Sequence, residues 1–314
     1  VPTRAADALY WSNRAAERAE AMARAMRVIT ARIETDRGLV GLDGGAWTTR
    51  MLHVLAAVRR QRSLDAMPDP TVDTLREELA DVGAAVAREI GLLLTEATTV
   101  REFMSVTAGP VLAGLAVRRG ALQQGLAVVD DLDAVLADFA ALAGMWQEST
   151  VRGPAWRIGD TGRRLERILV VLDLIDAVCH SGAAGDATAS EDVEAIAIEV
   201  LLAANDCLVA YRRAYRSDVE RDLALALLVG DVANPRSLAA SIERLAEHAL
   251  DGESELAGDF VDQARASLAL PTAEMVTTLR AVVVDAGQRL VNRWFSTPVN
   301  PIAMHPRGPV GGAR

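Results

Sequence analysis

The chain contains no lysine: all 33 of its basic residues are arginine. A Schiff-base enzyme, a P-loop nucleotide site and a lysine general base are excluded by that absence alone, because each is built on the ε-amine. Cysteine and histidine are nearly as scarce. Cys179, Cys207, His53, His180, His248 and His305 form no CxxC, HExxH or clustered set, so no metal and no cofactor is assigned. Aromatic residues number 12 in 314, and β-branched alternating runs are lacking, which removes the strand signal. No apolar run reaches the roughly 18 residues that a membrane span needs, and Arg4 and Asp7 stand where a signal peptide would be apolar. A cytoplasmic protein with no membrane partner is expected. Positive charge is also short: 43 acidic residues against 33 basic ones give −10, which disfavours a nucleic-acid partner bound through phosphates. A start at Val1 fits either a processed terminus or a piece of a longer polypeptide.

What is present is 51% apolar and 24% charged residue, enough to bury a large core. Alanine, leucine, arginine and the two acids dominate, so the fold class is all-α. The length allows one large domain or two packed halves. Periodicity and punctuation predict ten to eleven helices, at about 4–35, 45–64, 70–96, 122–148, 155–180, 191–214, 217–229, 235–250, 254–269 and 272–295. Asp69-Pro70 and Asn234-Pro235 are read as caps with first-turn prolines. Thr99 with Glu102 is read as a capping box whose segment Gly109 and Pro110 interrupt. The helical domain is expected over 1–296, with halves at about 4–150 and 151–296, followed by a flexible proline-rich tail at 297–314.

Two of the long helices carry the same charged figure. Arg14-Ala15-Ala16-Glu17-Arg18 recurs as Arg163-Arg164-Leu165-Glu166-Arg167, displaced by 149 positions, nearly half the chain. Arg14, Glu17 and Arg18 stand at helical spacings of three and four, as do Arg163, Glu166 and Arg167. Their faces also carry Tyr10, Ala21, Ala25 and Val28 in the first helix, and Val170 and Leu174 in the later one, so the charges sit on helices apolar on more than one side. Buried charge persists only when paired. Two readings follow. In one, each glutamate accepts from arginines of its own and the facing helix and ties the halves together. In the other, the four arginines project into a shared cavity and bind a carboxylate or phosphate through their planar forks. A secondary candidate is Tyr211, Arg212, Tyr215 and Arg216, two tyrosines at i and i+4 among arginines, which can stack on an anionic partner or simply complement a helix C-terminus. No serine lies in a GxSxG elbow, and the chain has no glycine-rich phosphate loop.

Tyr10-Trp11, the run Asn13 to Glu20 and Gly162-Arg163-Arg164-Leu165-Glu166-Arg167 resemble the paired Glu-Arg motifs of the bacterial alpha-E domain. Val100 to Ser105, Tyr211 to Arg216 and Asp231 to Leu238 agree with it in order and spacing, and the resemblance runs from residue 4 to about 295. Asn13 departs from it by replacing a glycine, and Thr107 to Pro110 stand where the family has an acidic residue and a tryptophan. The resemblance implies an all-α domain that accompanies, or is fused behind, a circularly permuted ATP-grasp protein, with transglutaminase-like and proteasome-like peptidases as further companions. An accessory role in ATP-driven peptide or amide ligation is thereby expected, non-catalytic on its own, with the Arg/Glu groups as contact or ligand site. Two alternatives stand beside it. One is a catalytic domain using Glu17 or Glu166 as acid or base on a carboxylate- or phosphate-bearing intermediate. The other is a structural homo-oligomerising bundle.

Overall fold

The computed structural model describes residues 1–35, 45–60, 70–125, 128–179, 191–216, 218–250 and 259–295. They are all-α: twelve α-helices, and no strand among the described residues. In chain order these are α1 (Thr3–Thr35), α2 (Ala46–Arg59), α3 (Val72–Thr99), α4 (Ala108–Gln123), α5 (Val129–Ser149), α6 (Pro154–Cys179), α7 (Glu191–Ala204), α8 (Leu208–Tyr215), α9 (Arg221–Leu225), α10 (Leu238–Leu250), α11 (Asp259–Ser267) and α12 (Thr272–Phe295). None is long and apolar enough to cross a membrane. The expected tail at 297–314 lies outside the described residues, as does Asp69.

Twelve helices exceed the expected ten to eleven for local reasons. The stretch 191–214 breaks at Asn205-Asp206-Cys207, where Asp206 adopts a left-handed φ of 59° and the Asn205 side chain donates to the Leu201 carbonyl. The Asp206 N–H then bonds the Ala203 carbonyl at 3.0 Å and the Cys207 N–H the Leu202 carbonyl at 2.7 Å, a left-handed helix end that divides α7 from α8. Gly109 and Pro110 do not interrupt a helix but sit in the first turn of α4, where a missing proline N–H has no intrahelical acceptor to lose. Residue 122, the expected start of a helix, lies at the end of α4. The chain turns at Gly125 (φ 69°), and α5 starts at Val129 with the Asp131 carboxylate accepting from the Val128 N–H at 3.1 Å. Thr99 and Glu102 form no capping box, since Thr99 closes α3 and Glu102 lies in a single 3₁₀ turn, Arg101–Phe103. The cap of α3 is Thr71, whose hydroxyl accepts from the Thr74 N–H.

The centre of the fold is the crossing of α1 and α6, both buried on several faces. α1 also packs on α2, α3, α5, α7 and α12, and α6 on α2, α7, α10 and α12. Tyr10, Met22 and Ile29 of α1 share one apolar core with Leu165, Ile168, Leu172 and Ile175 of α6 and with Val86, Ile90, Leu201, Ile242 and Leu279. Elements of 4–150 and of 151–296 therefore meet in a single core. Close approach at the crossing depends on two glycines. A Cβ on Gly162 would stand 2.6 Å from the Tyr10 carbonyl oxygen, and one on Gly159 would stand 2.8 Å from the Asn13 amide nitrogen. Asn13 is thus accommodated by space that Gly159 leaves on the other helix.

Candidate functional site

The two charged triads meet at this crossing and exchange partners. Glu166 of α6 accepts from Arg14 Nε at 2.7 Å and from Arg18 Nε at 2.9 Å, both on α1. Glu17 of α1 accepts from Arg163 Nε at 2.9 Å and from Arg167 Nε and Nη2 at 2.6 and 2.8 Å, both on α6. Each glutamate is served by the facing helix and not by its own. The reason is geometric: on one helix the arginines three before and one after a glutamate splay to either side of it, whereas on an opposed helix at glycine distance the same two arginines bracket the carboxylate.

Further residues close the network. Arg60, which ends α2 in a left-handed conformation (φ 54°), reaches Glu166 at 2.7 Å and Asp173 at 2.9 Å. Asp173 also pairs with Arg280 of α12. Arg18 bridges to Glu89 of α3 at 2.9 Å, and Arg14 donates to the Tyr10 hydroxyl while lying over the Trp11 ring. On the Glu17 side, Glu20 takes Arg24 at 2.6 Å and Arg236 at 2.8 Å. Arg236 is placed there by Asn234, which is buried and is not the cap of α10. Its amide nitrogen donates to the Leu227 carbonyl and its oxygen accepts from the Arg236 N–H, while Ser237 caps α10 by accepting from the Ala240 N–H. The turn also presents the Pro235 carbonyl to Arg167 at 3.2 Å.

Electrostatics follow from the pairing. Glu166 is fully buried, which pushes its carboxyl up, but Arg60, Arg14 and Arg18 outweigh burial and hold it at about 2. Glu17 is likewise drawn well below the usual carboxylate range, with Arg167 and Arg163 overcoming burial. The arginines do not balance evenly. Burial lowers Arg167 to about 10 in spite of Glu17, with Arg236, Arg163 and Arg164 adding to the fall. Around Glu17 and Glu20 stand Arg24, Arg163, Arg167 and Arg236, with the exposed Asp206 within ion-pair reach of Arg24 and Arg236 and Asp160 acting on Arg163.

An apolar cleft opens beside that end of the network, between α1, α3, α4 and α5, with about 710 Å³ of empty space including its mouth. Leu93, Met104, Phe139, Met145 and Trp146 are among its walls, and Glu17, Glu20 and Arg163 reach its floor. Arg14, Arg18, Glu166 and Arg167 do not line it.

The secondary candidates lie elsewhere. Tyr211 is fully buried, and its hydroxyl donates to the Asp218 carbonyl and accepts from the Glu220 N–H, so its ring face is not offered to a partner. Tyr215 packs on it at 5.0 Å between ring centres, Arg212 pairs with Glu199 at 2.8 Å, and Arg216 ends α8 with a left-handed φ of 51°. This cluster fixes the α8 turn. Sequence reasoning also passed over a second buried pair, His248 Nε2 with Asp160 Oδ2 at 2.9 Å, joining α10 to α6. Burial raises the Asp160 carboxyl, but the His248 hydrogen bond and Arg164 bring it to about 2. Arg60, Arg236 and His248 are single residues on separate elements, with no local spacing to announce them.

An uncharacterized protein of Mycobacterium bovis is 27% identical over 257 residues, covering 76% of this chain and 28% of that protein. Uncharacterized proteins from two strains of Mycobacterium tuberculosis match with the same identity and coverage. The chain thus spans little more than a quarter of the length of these relatives. No solved structure gives a significant match. The Alpha-E family model, described as a predicted alpha-helical domain with a conserved ER motif, matches residues 1–294, and the chain belongs to that family.

Proposed function

We propose that this chain is a non-catalytic helical module of an ATP-grasp-linked peptide or amide ligation system, acting in the cytoplasm in cis or in trans with a circularly permuted ATP-grasp protein. The observation that carries the non-catalytic reading is the complete occupation of Glu17 and Glu166 by arginines. A general acid needs a proton at neutral pH, and a general base needs a lone pair free for the substrate. Glu166, held at about 2 and enclosed by Arg14, Arg18 and Arg60, offers neither. The ion pairs of Glu17 and Glu166 all form within one chain. What the module contributes is a rigid crossing and, at one edge, a guanidinium group facing a cleft. The Arg163 guanidinium, on a residue that lines the cleft, supports a carboxylate as the group received there. A transglutaminase-like peptidase is a further companion of the same reading.

The test is association and turnover. The cognate ATP-grasp protein is purified with and without this chain, and ATP consumption is followed with a carboxylate and an amine acceptor. Stable association and a higher turnover with the chain present are expected. No association, together with turnover indifferent to the chain, would contradict the proposal.

A further inference from the structure

We infer that the cleft binds the C-terminal residue of a peptide, with its terminal carboxylate on Arg163 and its last backbone N–H on Glu20. This names the carrier of the carboxylate in the reading above and so rests on it.

The floor supplies the polar half of the argument. Arg163 donates through Nε to Glu17 at 2.9 Å, its Nη2 lies 3.8 Å from Glu20, and the residue lines the cleft. Glu20 is buried to 4% exposure, and its Oε1 takes Arg24 and Arg236. Its Oε2 stands 3.8 Å from Arg163 Nη2. Arg163 offers charge-assisted donors and Glu20 an anionic acceptor side by side at the cleft floor, so a ligand that carries both a carboxylate and an N–H matches the pair. A carboxylate alone satisfies the guanidinium but leaves Glu20 unpaired beside a second anion. The last residue of a peptide carries both a carboxylate and an N–H, and capture of a chain terminus by such a polar corner is a recurring mode of peptide recognition.

The walls supply the apolar half. Leu93, Val100, Met104, Phe139, Met145 and Trp146 enclose space suited to one large apolar side chain, and methionine and aromatic walls adapt to its shape. Ser105 and Thr150 line the cleft, and the residues that follow them, Val106 and Val151, are 96% and 89% exposed. Single exposed valines are ordinary, but two beside one cleft extend an apolar path for the residue before the last. A fatty acid would satisfy these walls equally and would fail at Glu20, and that difference separates the two carriers.

The experiment uses the full chain alone. Binding of an acetylated tetrapeptide ending in phenylalanine as the free acid is measured by calorimetry and by tryptophan fluorescence, beside the same peptide as its C-terminal amide, and decanoate. The free acid should bind saturably, with the amide and decanoate at least tenfold weaker. Ala143→Phe, which fills the cleft away from the charged network, should weaken the free acid at least tenfold with an unchanged circular dichroism spectrum, and Arg163→Lys should weaken it similarly. No saturable binding of the free acid, equal binding of acid and amide, or decanoate binding as tightly as the peptide would each overturn the assignment. Should either variant fail to fold, the acid, amide and decanoate comparison on the unaltered chain decides alone. The ATP-grasp protein is absent from this assay, so its failure removes the peptide assignment and leaves the accessory reading to its own turnover test.

Discussion

Glu17 and Glu166 each take their hydrogen bonds from the arginines that flank the other. The relationship is reciprocal across the displacement of 149 residues, so one local figure, repeated, becomes a clasp when two helices cross. It resolves the physical difficulty of charge on buried helices: each buried carboxylate is surrounded by guanidinium donors.

Truncation should expose how much depends on that arrangement. Glu166→Ala leaves Arg14, Arg18 and Arg60 facing a vacated site, and the loss should be roughly 3 kcal/mol or more. Glu17→Ala should cost a similar amount, because Arg167 is itself buried. Urea midpoints of the two variants against the unaltered chain check this, and a midpoint unchanged for Glu166→Ala would show the network to contribute nothing.

Helix approach is a separate requirement. Gly162→Ala places a methyl group 2.6 Å from the Tyr10 carbonyl oxygen, which forces α1 and α6 apart and should cost about 1–3 kcal/mol. Gly144→Ala on α5 meets nothing within 4 Å and should stabilise the helix by a few tenths up to about 1 kcal/mol. Opposite shifts in melting temperature for the two alanines are the expected result.

Acid should open the crossing. Glu166, brought from 4.5 to about 2, and Asp160, brought from 3.8 to about 2, both have depressed folded-state values. Their contribution is therefore complete at neutral pH and is lost as pH falls from about 4.5 towards 2. Stability measured by urea unfolding between pH 7 and pH 2 should decline over that window, and Glu166→Gln should start lower at pH 7 and decline less steeply.

The charged triads were legible in the sequence because helical spacing and apolar neighbours are local facts. The exchange was not, since whether Glu17 accepts from Arg14 and Arg18 or from Arg163 and Arg167 is decided by the crossing distance that Gly162 and Gly159 allow. Arg236 shows the same limit. Asn234-Pro235 reads locally as a helix start, but the Asn234 amide is used to fold the turn that aims Arg236 at Glu20, and the helix begins later at Leu238. The division of α7 from α8 was missed because a left-handed Asp206 has no strong composition signal. The spacing of Tyr211 and Tyr215 reads as a binding face, whereas tertiary burial turns Tyr211 inward.

The central claim is that the paired glutamates are structural and take no part in proton transfer. Its most direct test is ATP turnover by the ATP-grasp protein in the presence of Glu17→Gln and Glu166→Gln chains, each measured beside its folded fraction at the assay temperature. We expect stimulation of turnover to fall only in proportion to the folded fraction of each variant. A variant that is fully folded, still associates with the ATP-grasp protein and supports no turnover would contradict the claim and restore a glutamate acid or base.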